Sequence, residues 1–67
     1  MPKVRVYMSS GVSRQAEGKI IEGMTKVFEE LGIPGYAIDV VIHEVPRENW
    51  GVGGEIAGEK FKEIRPP

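Results

Sequence analysis

Pro2 is the residue of this sequence with the most evident capacity for chemistry. Within a chain a proline nitrogen is a non-basic amide, but at a chain terminus it is a secondary amine with a lone pair. Initiator methionine is commonly removed before a small residue, so we expect Met1 to be removed and this amine to be free. An α-amino group titrates near pH ~8, and apolar surroundings or a nearby cation lower its pKa toward neutrality. Pro2 is therefore a candidate general base, the alternative being that it only begins an edge strand.

Two segments of the chain have the composition of β-strands. Residues 3–8 alternate between polar and apolar side chains, and residues 37–44 are rich in β-branched types. Because a long helical segment separates them, we expect a parallel pair with a right-handed crossover. The glycine-rich composition of residues 50–54 predicts a tight turn or short hairpin there. We expect a helical turn within residues 55–64.

The intervening segment predicts an amphipathic helix of about five turns. Ser13 is its expected N-cap, because a serine hydroxyl accepts a hydrogen bond from an unpaired backbone N–H. Gly32 and Pro34 form a stop signal. The apolar residues recur every three or four positions, namely Ala16, Ile20, Met24, Val27 and Leu31, with Ile21 and Phe28 widening the stripe.

The length and the order of the predicted elements describe a small α+β protein with one domain over residues 1–67. Such a chain has a thin stability margin, and its lack of cysteines removes disulfides and thiolate metal sites. A lone histidine cannot build a metal site, so association of subunits is the expected source of stability. The net charge of −1 gives no pull toward nucleic acid or membrane, and no apolar run spans a bilayer. We expect a soluble, cytoplasmic protein.

The order of these features resembles the 4-oxalocrotonate tautomerase family, also described as 2-hydroxymuconate tautomerase-like. The resemblance rests on Pro2, the strand–helix–strand order and the segment Asn49-Trp-Gly-Val-Gly-Gly-Glu55. It implies a β-α-β unit with a short C-terminal hairpin, assembled into a symmetric homohexamer, a trimer of dimers. It also implies an isomerase that converts a small enol or dienol acid to its conjugated keto form without metal or organic cofactor.

By match of position, the resemblance implies roles for three residues. Pro2 corresponds to the catalytic base, which lies in a small apolar pocket at a subunit boundary. Trp50 corresponds to an aromatic pocket wall, and the backbone N–H of Ser9 to a substrate-contacting amide.

The substrate-binding arginines of the family are the point of departure. Their positions match Val12 and Asp39 here, and an aspartate repels a carboxylate that an arginine would bind. Arg47 is the preferred replacement because it lies in the loop before Trp50, and each arginine is otherwise a solvated surface charge. The other candidate cations are Arg5 and Arg14.

Three functions remain open from the residues. The first is an enol–keto tautomerase acting on a small 2-hydroxy-dienoate or related enol acid. The second is a hydratase, dehalogenase or decarboxylase in which protonated Pro2 is the acid and Asp39 orients water. The third is a non-catalytic oligomeric binding protein. His43 could be a general acid or base, although its neighbours Val41 and Ile42 favour a packed or surface histidine.

Overall fold

The computed structural model describes residues 1–67. Two strands flank one long helix, and a small hairpin followed by a single helical turn completes the chain. Two 3-10 turns, Gly35–Ala37 and Arg47–Asn49, precede the second strand and the hairpin. The elements are β1 (Lys3–Ser9), α1 (Arg14–Glu29), β2 (Asp39–Val45), β3 (Gly51–Val52), β4 (Glu55–Ile56) and α2 (Ala57–Lys60).

The strands β1 and β2 pair in parallel, from Lys3 opposite Asp39 to Ser9 opposite Val45, which confirms the predicted arrangement. Exposed and half-buried residues alternate through Met8 in β1 and through His43 in β2, as the polar–apolar pattern predicts. The half-buried face carries Val4 and Val6 from β1 with Val40 and Ile42 from β2. The opposite face of this two-stranded sheet is covered by no other element of the chain.

The helix α1 begins where the sequence predicts. The Ser13 hydroxyl accepts a hydrogen bond from the backbone N–H of Ala16, with Oγ and N 3.1 Å apart. The helix ends at Glu29, two residues before Leu31, and Gly32 follows with φ of 91°. Leu31 is 73% exposed, so the predicted apolar stripe extends beyond the helix and is wider than the contact made within one chain.

The second strand begins two residues later than predicted. Ala37 belongs to a 3-10 turn because its N–H donates to the carbonyl of Pro34, with N and O 3.0 Å apart. The N–H of Ile38 donates to the carbonyl of Gly35 at 3.1 Å, so β2 starts at Asp39. Only four residues are buried in the whole chain, which makes the core thin: Val12, Ala37, Ile38 and Ala57.

The predicted hairpin is formed by β3 and β4, which pair in antiparallel fashion. Gly53 and Gly54 connect them with φ values of 59° and 84°, conformations that a tight hairpin turn needs and that glycine adopts without strain. The helical turn predicted in the tail is α2. Neither helix combines the length and the apolar composition that crossing a bilayer requires.

Candidate functional site

A cavity of about 290 Å³ lies between the end of β1, the Arg47–Asn49 turn, the hairpin and the C-terminal segment. Five of its seven lining residues are apolar, and its polar groups come from Ser9 and Arg47. Three of the five candidate site residues therefore meet here: Ser9, Arg47 and Trp50. The remaining lining residues are Val52, Ala57, Phe61 and Ile64.

Arg47 is half-buried at the wall of this cavity and is held there by the C-terminal segment. Its Nη1 donates a hydrogen bond to the carbonyl oxygen of Phe61 at 2.9 Å. A Cβ atom placed on Gly58 would lie 3.4 Å from the Cβ of Arg47, so α2 packs closely on this turn. A guanidinium has five N–H donors, and one bond to a carbonyl leaves the others available for an anion. The arrangement suits the binding of a carboxylate.

Trp50 is positioned by both of its backbone groups. Its N–H donates to the carbonyl of Arg47 at 3.2 Å, and its carbonyl accepts from the N–H of Ala57 at 2.7 Å. These bonds tie the cation, the aromatic residue and the first turn of α2 into one local unit. Trp50 lines the cavity, where an indole can form one wall of an apolar site that excludes water.

The C-terminal wall of the cavity is a part of the site that sequence reasoning missed. Ala57, Phe61 and Ile64 follow at intervals of four and three residues, which places them on one side of a helical segment. That spacing was a usable signal. The spacing predicts that the three side chains share one face of the segment, but it does not predict which distant residues this face contacts.

Pro2 and Asp39 lie together at the opposite end of β1. The N–H of Asp39 donates to the carbonyl of Pro2 at 3.1 Å, and Pro2 is half-buried. Ser9 lies seven positions after Pro2, which is roughly 23 Å at the rise of a β-strand. One chain therefore divides the candidate residues into two groups, Pro2 with Asp39 and Ser9 with Arg47 and Trp50.

The turn that follows β1 is held by a carboxylate. Glu44 Oε1 accepts hydrogen bonds from the N–H groups of Gly11 and Val12, at 3.0 and 3.2 Å. A hydrogen bond with the carboxyl group of Glu17, together with these two N–H groups, lowers the pKa of Glu44. The same hydrogen bond raises the pKa of Glu17 from its ordinary value, with desolvation and the charge of Glu44 acting in the same direction. Val12 is buried and contributes no cation.

The other candidate residues lie away from the cavity. The ring of His43 stacks on that of Tyr7, with centroids 4.7 Å apart, on the exposed face of the sheet. Arg5 shares this exposed face, and Arg14 is exposed at the first residue of α1. No group of three or more His, Cys, Asp or Glu side chains gathers in a way that could hold a metal ion.

A β-α-β unit with a C-terminal hairpin is the fold of small tautomerases. The sequence profile of the family described as "Tautomerase enzyme" matches residues 2–60. The chain belongs to the tautomerase family, and it is an isomerase.

Relatives and solved structures agree with this family. The chain is 40% identical over 60 residues to a 2-hydroxymuconate tautomerase of Comamonas testosteroni, covering 88% of this chain and 95% of that protein. The corresponding Pseudomonas putida enzyme is 37% identical with the same coverage. A 4-oxalocrotonate tautomerase isozyme from Methylibium petroleiphilum superposes with a TM-score of 0.84 at 34% identity, covering 90% of this chain and 98% of that one. TomN, a 4-oxalocrotonate tautomerase homologue of the tomaymycin biosynthetic pathway, superposes with a TM-score of 0.85 at 35% identity, covering 91% and 95%.

Proposed function

We propose that this chain catalyses enol–keto tautomerisation of a small 2-hydroxy-dienoate or related enol acid, with Pro2 as the general base after Met1 is removed. The observation that carries the proposal is that the match to the tautomerase profile begins at Pro2. Met1 is fully exposed, which leaves the Met1–Pro2 bond accessible to processing.

The proposed reaction moves one proton within the substrate. The Pro2 nitrogen takes the proton of the 2-hydroxyl group as the carbonyl forms and the carbon–carbon double bond shifts. The protonated amine then gives a proton to the carbon at the far end of the shifted double-bond system, which restores the base. Arg47 binds the substrate carboxylate, and the backbone N–H of Ser9 contacts the substrate. Trp50 forms the wall that shields the reacting atoms from water.

The proposed site requires more than one copy of the chain. Pro2 and the cavity lie at opposite ends of β1, so Pro2 of a second subunit must reach the cavity of the first. Large exposed apolar residues such as Val27 and Leu31 support burial between subunits. We therefore propose a symmetric homo-oligomer, a hexamer built as a trimer of dimers. We also propose that residues 1–67 form one domain, that the protein is cytoplasmic and that it uses no organic cofactor.

The test of this function is Pro2→Ala, compared with Lys26→Ala on the exposed face of α1. Exchange of the rigid secondary amine of Pro2 for the primary amine of a more flexible alanine should lower kcat/KM for ketonisation of 2-hydroxymuconate about tenfold to a hundredfold. Lys26→Ala should retain the activity, and intact mass of each protein establishes whether Met1 is absent. Full activity in Pro2→Ala, or an active protein that retains Met1, would contradict the proposal.

A second candidate function is favoured by the position of Asp39 beside Pro2. A protonated Pro2 with Asp39 orienting water would add water to an unsaturated acid, displace a halide from it or assist its decarboxylation. Product analysis by NMR in the same assay separates the two, because tautomerisation conserves every atom of the substrate and these reactions do not.

A further inference from the structure

We infer that residues 61–67, which we call the strap, cover one side of the cavity and control access to it by opening and closing. The tautomerase profile matches residues 2–60, so the strap is an addition to the part of the chain that the family shares. The inference concerns entry into the cavity and holds whichever reaction takes place there. It therefore goes beyond the proposed function.

The base of the strap is attached beside Arg47. The carbonyl of Phe61 accepts a hydrogen bond from Arg47 Nη1 at 2.9 Å, and the N–H of Phe61 donates to the carbonyl of Ala57 at 2.8 Å. The N–H of Ile64 donates to the carbonyl of Phe61 at 3.0 Å, so the base of the strap continues the turn of α2. Both Phe61 and Ile64 line the cavity, which makes this turn a part of its wall.

The far end of the strap is attached to the turn that follows β1, and we call this attachment the latch. The N–H of Ser13 donates to the carbonyl of Pro67, with N and O 2.8 Å apart. Pro66 packs on Gly11, where a Cβ atom would lie 2.9 Å from Pro66 Cγ. This turn directly follows the end of β1, which lines the cavity through Ser9. The strap therefore runs from the guanidinium side of the cavity to the β1 side.

The latch is weak compared with the rest of the fold. Its hydrogen bond joins two exposed residues, Ser13 and Pro67. The side chains of Lys62, Glu63 and Arg65 are exposed and form no hydrogen bond or ion pair with another segment. A segment with so few buried contacts opens locally while the rest of the chain stays folded.

The two prolines make the end of the strap stiff. Their rings fix φ in Pro66 and Pro67, and Arg65 is biased toward an extended conformation because it precedes a proline. When the latch opens, this end moves away from the turn as one stiff piece. The closed strap shields the cavity and its indole from solvent, and the open strap admits small molecules.

Deletion of residues 65–67 removes the latch and keeps both lining residues of the strap. Trp50 is the one tryptophan of the chain and lines the cavity, so quenching of its fluorescence by acrylamide measures access without any ligand. We expect the quenching constant of the assembled protein to rise about twofold or more, because the strap is then open for a larger fraction of the time. Lys62→Ala, at an exposed position of the strap, should leave the quenching constant unchanged.

Hydrogen exchange at the backbone N–H of Ser13, followed by NMR, reports on the latch itself. Exchange at Ser13 should be about twofold to tenfold faster in the deletion protein, which is the factor for one backbone hydrogen bond. Exchange at the N–H of Ala16 is the internal control, because this group is bound by the Ser13 hydroxyl and not by the strap. Pro66→Gly keeps the chain length, removes the ring that packs on Gly11, and should change both readouts in the same direction.

Unchanged acrylamide quenching in the deletion protein would overturn the inference, and so would unchanged exchange at Ser13. A deletion protein that falls to smaller species in light scattering would contradict it too, because the strap would then hold subunits together. Turnover of 2-hydroxymuconate, measured on the same proteins and on Pro2→Ala, keeps the two proposals separable. Unchanged access with Pro2-dependent turnover contradicts the strap alone, and increased access without Pro2-dependent turnover contradicts the proposed function alone.

Discussion

At the scale of single residues, Gly11 controls the turn that connects β1 to the helix. Its φ of 100° lies in the region that other residues rarely adopt. A Cβ atom at this position would come within 2.9 Å of Pro66 Cγ, so the absence of a side chain also lets the C-terminal tail approach. The tail is held further by the N–H of Ser13, which donates to the carbonyl of Pro67 at 2.8 Å. Gly11 therefore allows both the backbone conformation of the turn and the close approach of the C-terminal tail.

Two glycine-to-alanine substitutions should have opposite effects on the free energy of unfolding. Gly11→Ala should lower it by about 1–2 kcal/mol from the backbone conformation, with a further loss from the contact with Pro66. Gly18→Ala in α1 meets no atom within 4 Å and should raise it by about 0.5–1 kcal/mol. Urea denaturation at one fixed protein concentration measures both. A Gly11→Ala protein as stable as the unaltered one would refute this role of the glycine.

At the scale of elements, three segments meet through Glu44. It lies in β2, it binds the N–H groups of the turn after β1, and it shares a hydrogen bond with Glu17 in the first turn of α1. The crossover from strand to helix is therefore attached to the neighbouring strand by a carboxylate. Because the hydrogen bond between Glu17 and Glu44 needs one proton, the strength of this junction depends on pH.

The signs of the two pKa shifts are opposite. The pKa of Glu44 is lowered, so its contribution to folding is present above its ordinary value of 4.5 and is lost as pH falls through the lowered pKa. The pKa of Glu17 is raised, so its contribution is present below 4.5 and is lost as pH rises through the raised pKa. Above the raised pKa of Glu17 both carboxyl groups are ionised, so the Glu44 contribution remains while that of Glu17 is lost.

Neutral glutamine variants should separate these contributions in Tm measurements across pH. Glu17→Gln keeps a hydrogen-bond donor at every pH and should raise Tm at neutral pH, with the gain disappearing well below pH 4.5. Glu44→Gln should lower Tm at neutral pH, and this difference should shrink as pH falls below 4.5. Glu22→Gln, on the exposed surface of α1, is the control. A pH-independent effect of Glu44→Gln would argue against the junction.

At the scale of the whole molecule, the chain is flat and poorly buried. Its radius of gyration is 14.4 Å, whereas a compact domain of 67 residues would have a value of about 11 Å. Its extents are 42 × 24 × 14 Å, and four residues of 67 are buried. The uncovered face of the β1–β2 sheet shows Tyr7 at 56% and Val41 at 40% exposure. A two-stranded sheet with one uncovered face is marginal alone, which fits a subunit that is stabilised by its neighbours.

Val41→Lys tests whether that face is buried between subunits. A lysine on the uncovered face should shift the protein toward smaller species in light scattering after size exclusion, and should make Tm more dependent on protein concentration. Gln15→Lys on the exposed surface of α1 should leave the mass unchanged. If the unaltered protein has the mass of one 7.4 kDa chain at assay concentration, both the assembly and the shared site would be refuted.

Local chemistry in the sequence determined most of the elements. The hydroxyl of Ser13 starts the helix, Gly32 follows its end, and Gly53 and Gly54 form the hairpin turn, because each acts on backbone groups within a few residues. Alternation of side chains predicted the strands and their faces for the same reason. The start of β2 was misplaced by two residues, since the turn after Pro34 extends through Ala37.

Tertiary structure alone decided how these parts meet. The carbonyl of Phe61 accepts a hydrogen bond from the guanidinium of Arg47, and Ile64 lines the same cavity as Ser9. The residues of each pair lie far apart in sequence, so no local pattern predicts these contacts. It also separates Pro2 from that cavity by the length of a strand. Distances between elements follow from packing of the whole chain, so the sequence indicated candidate residues, and the fold divided those candidates between the two ends of β1.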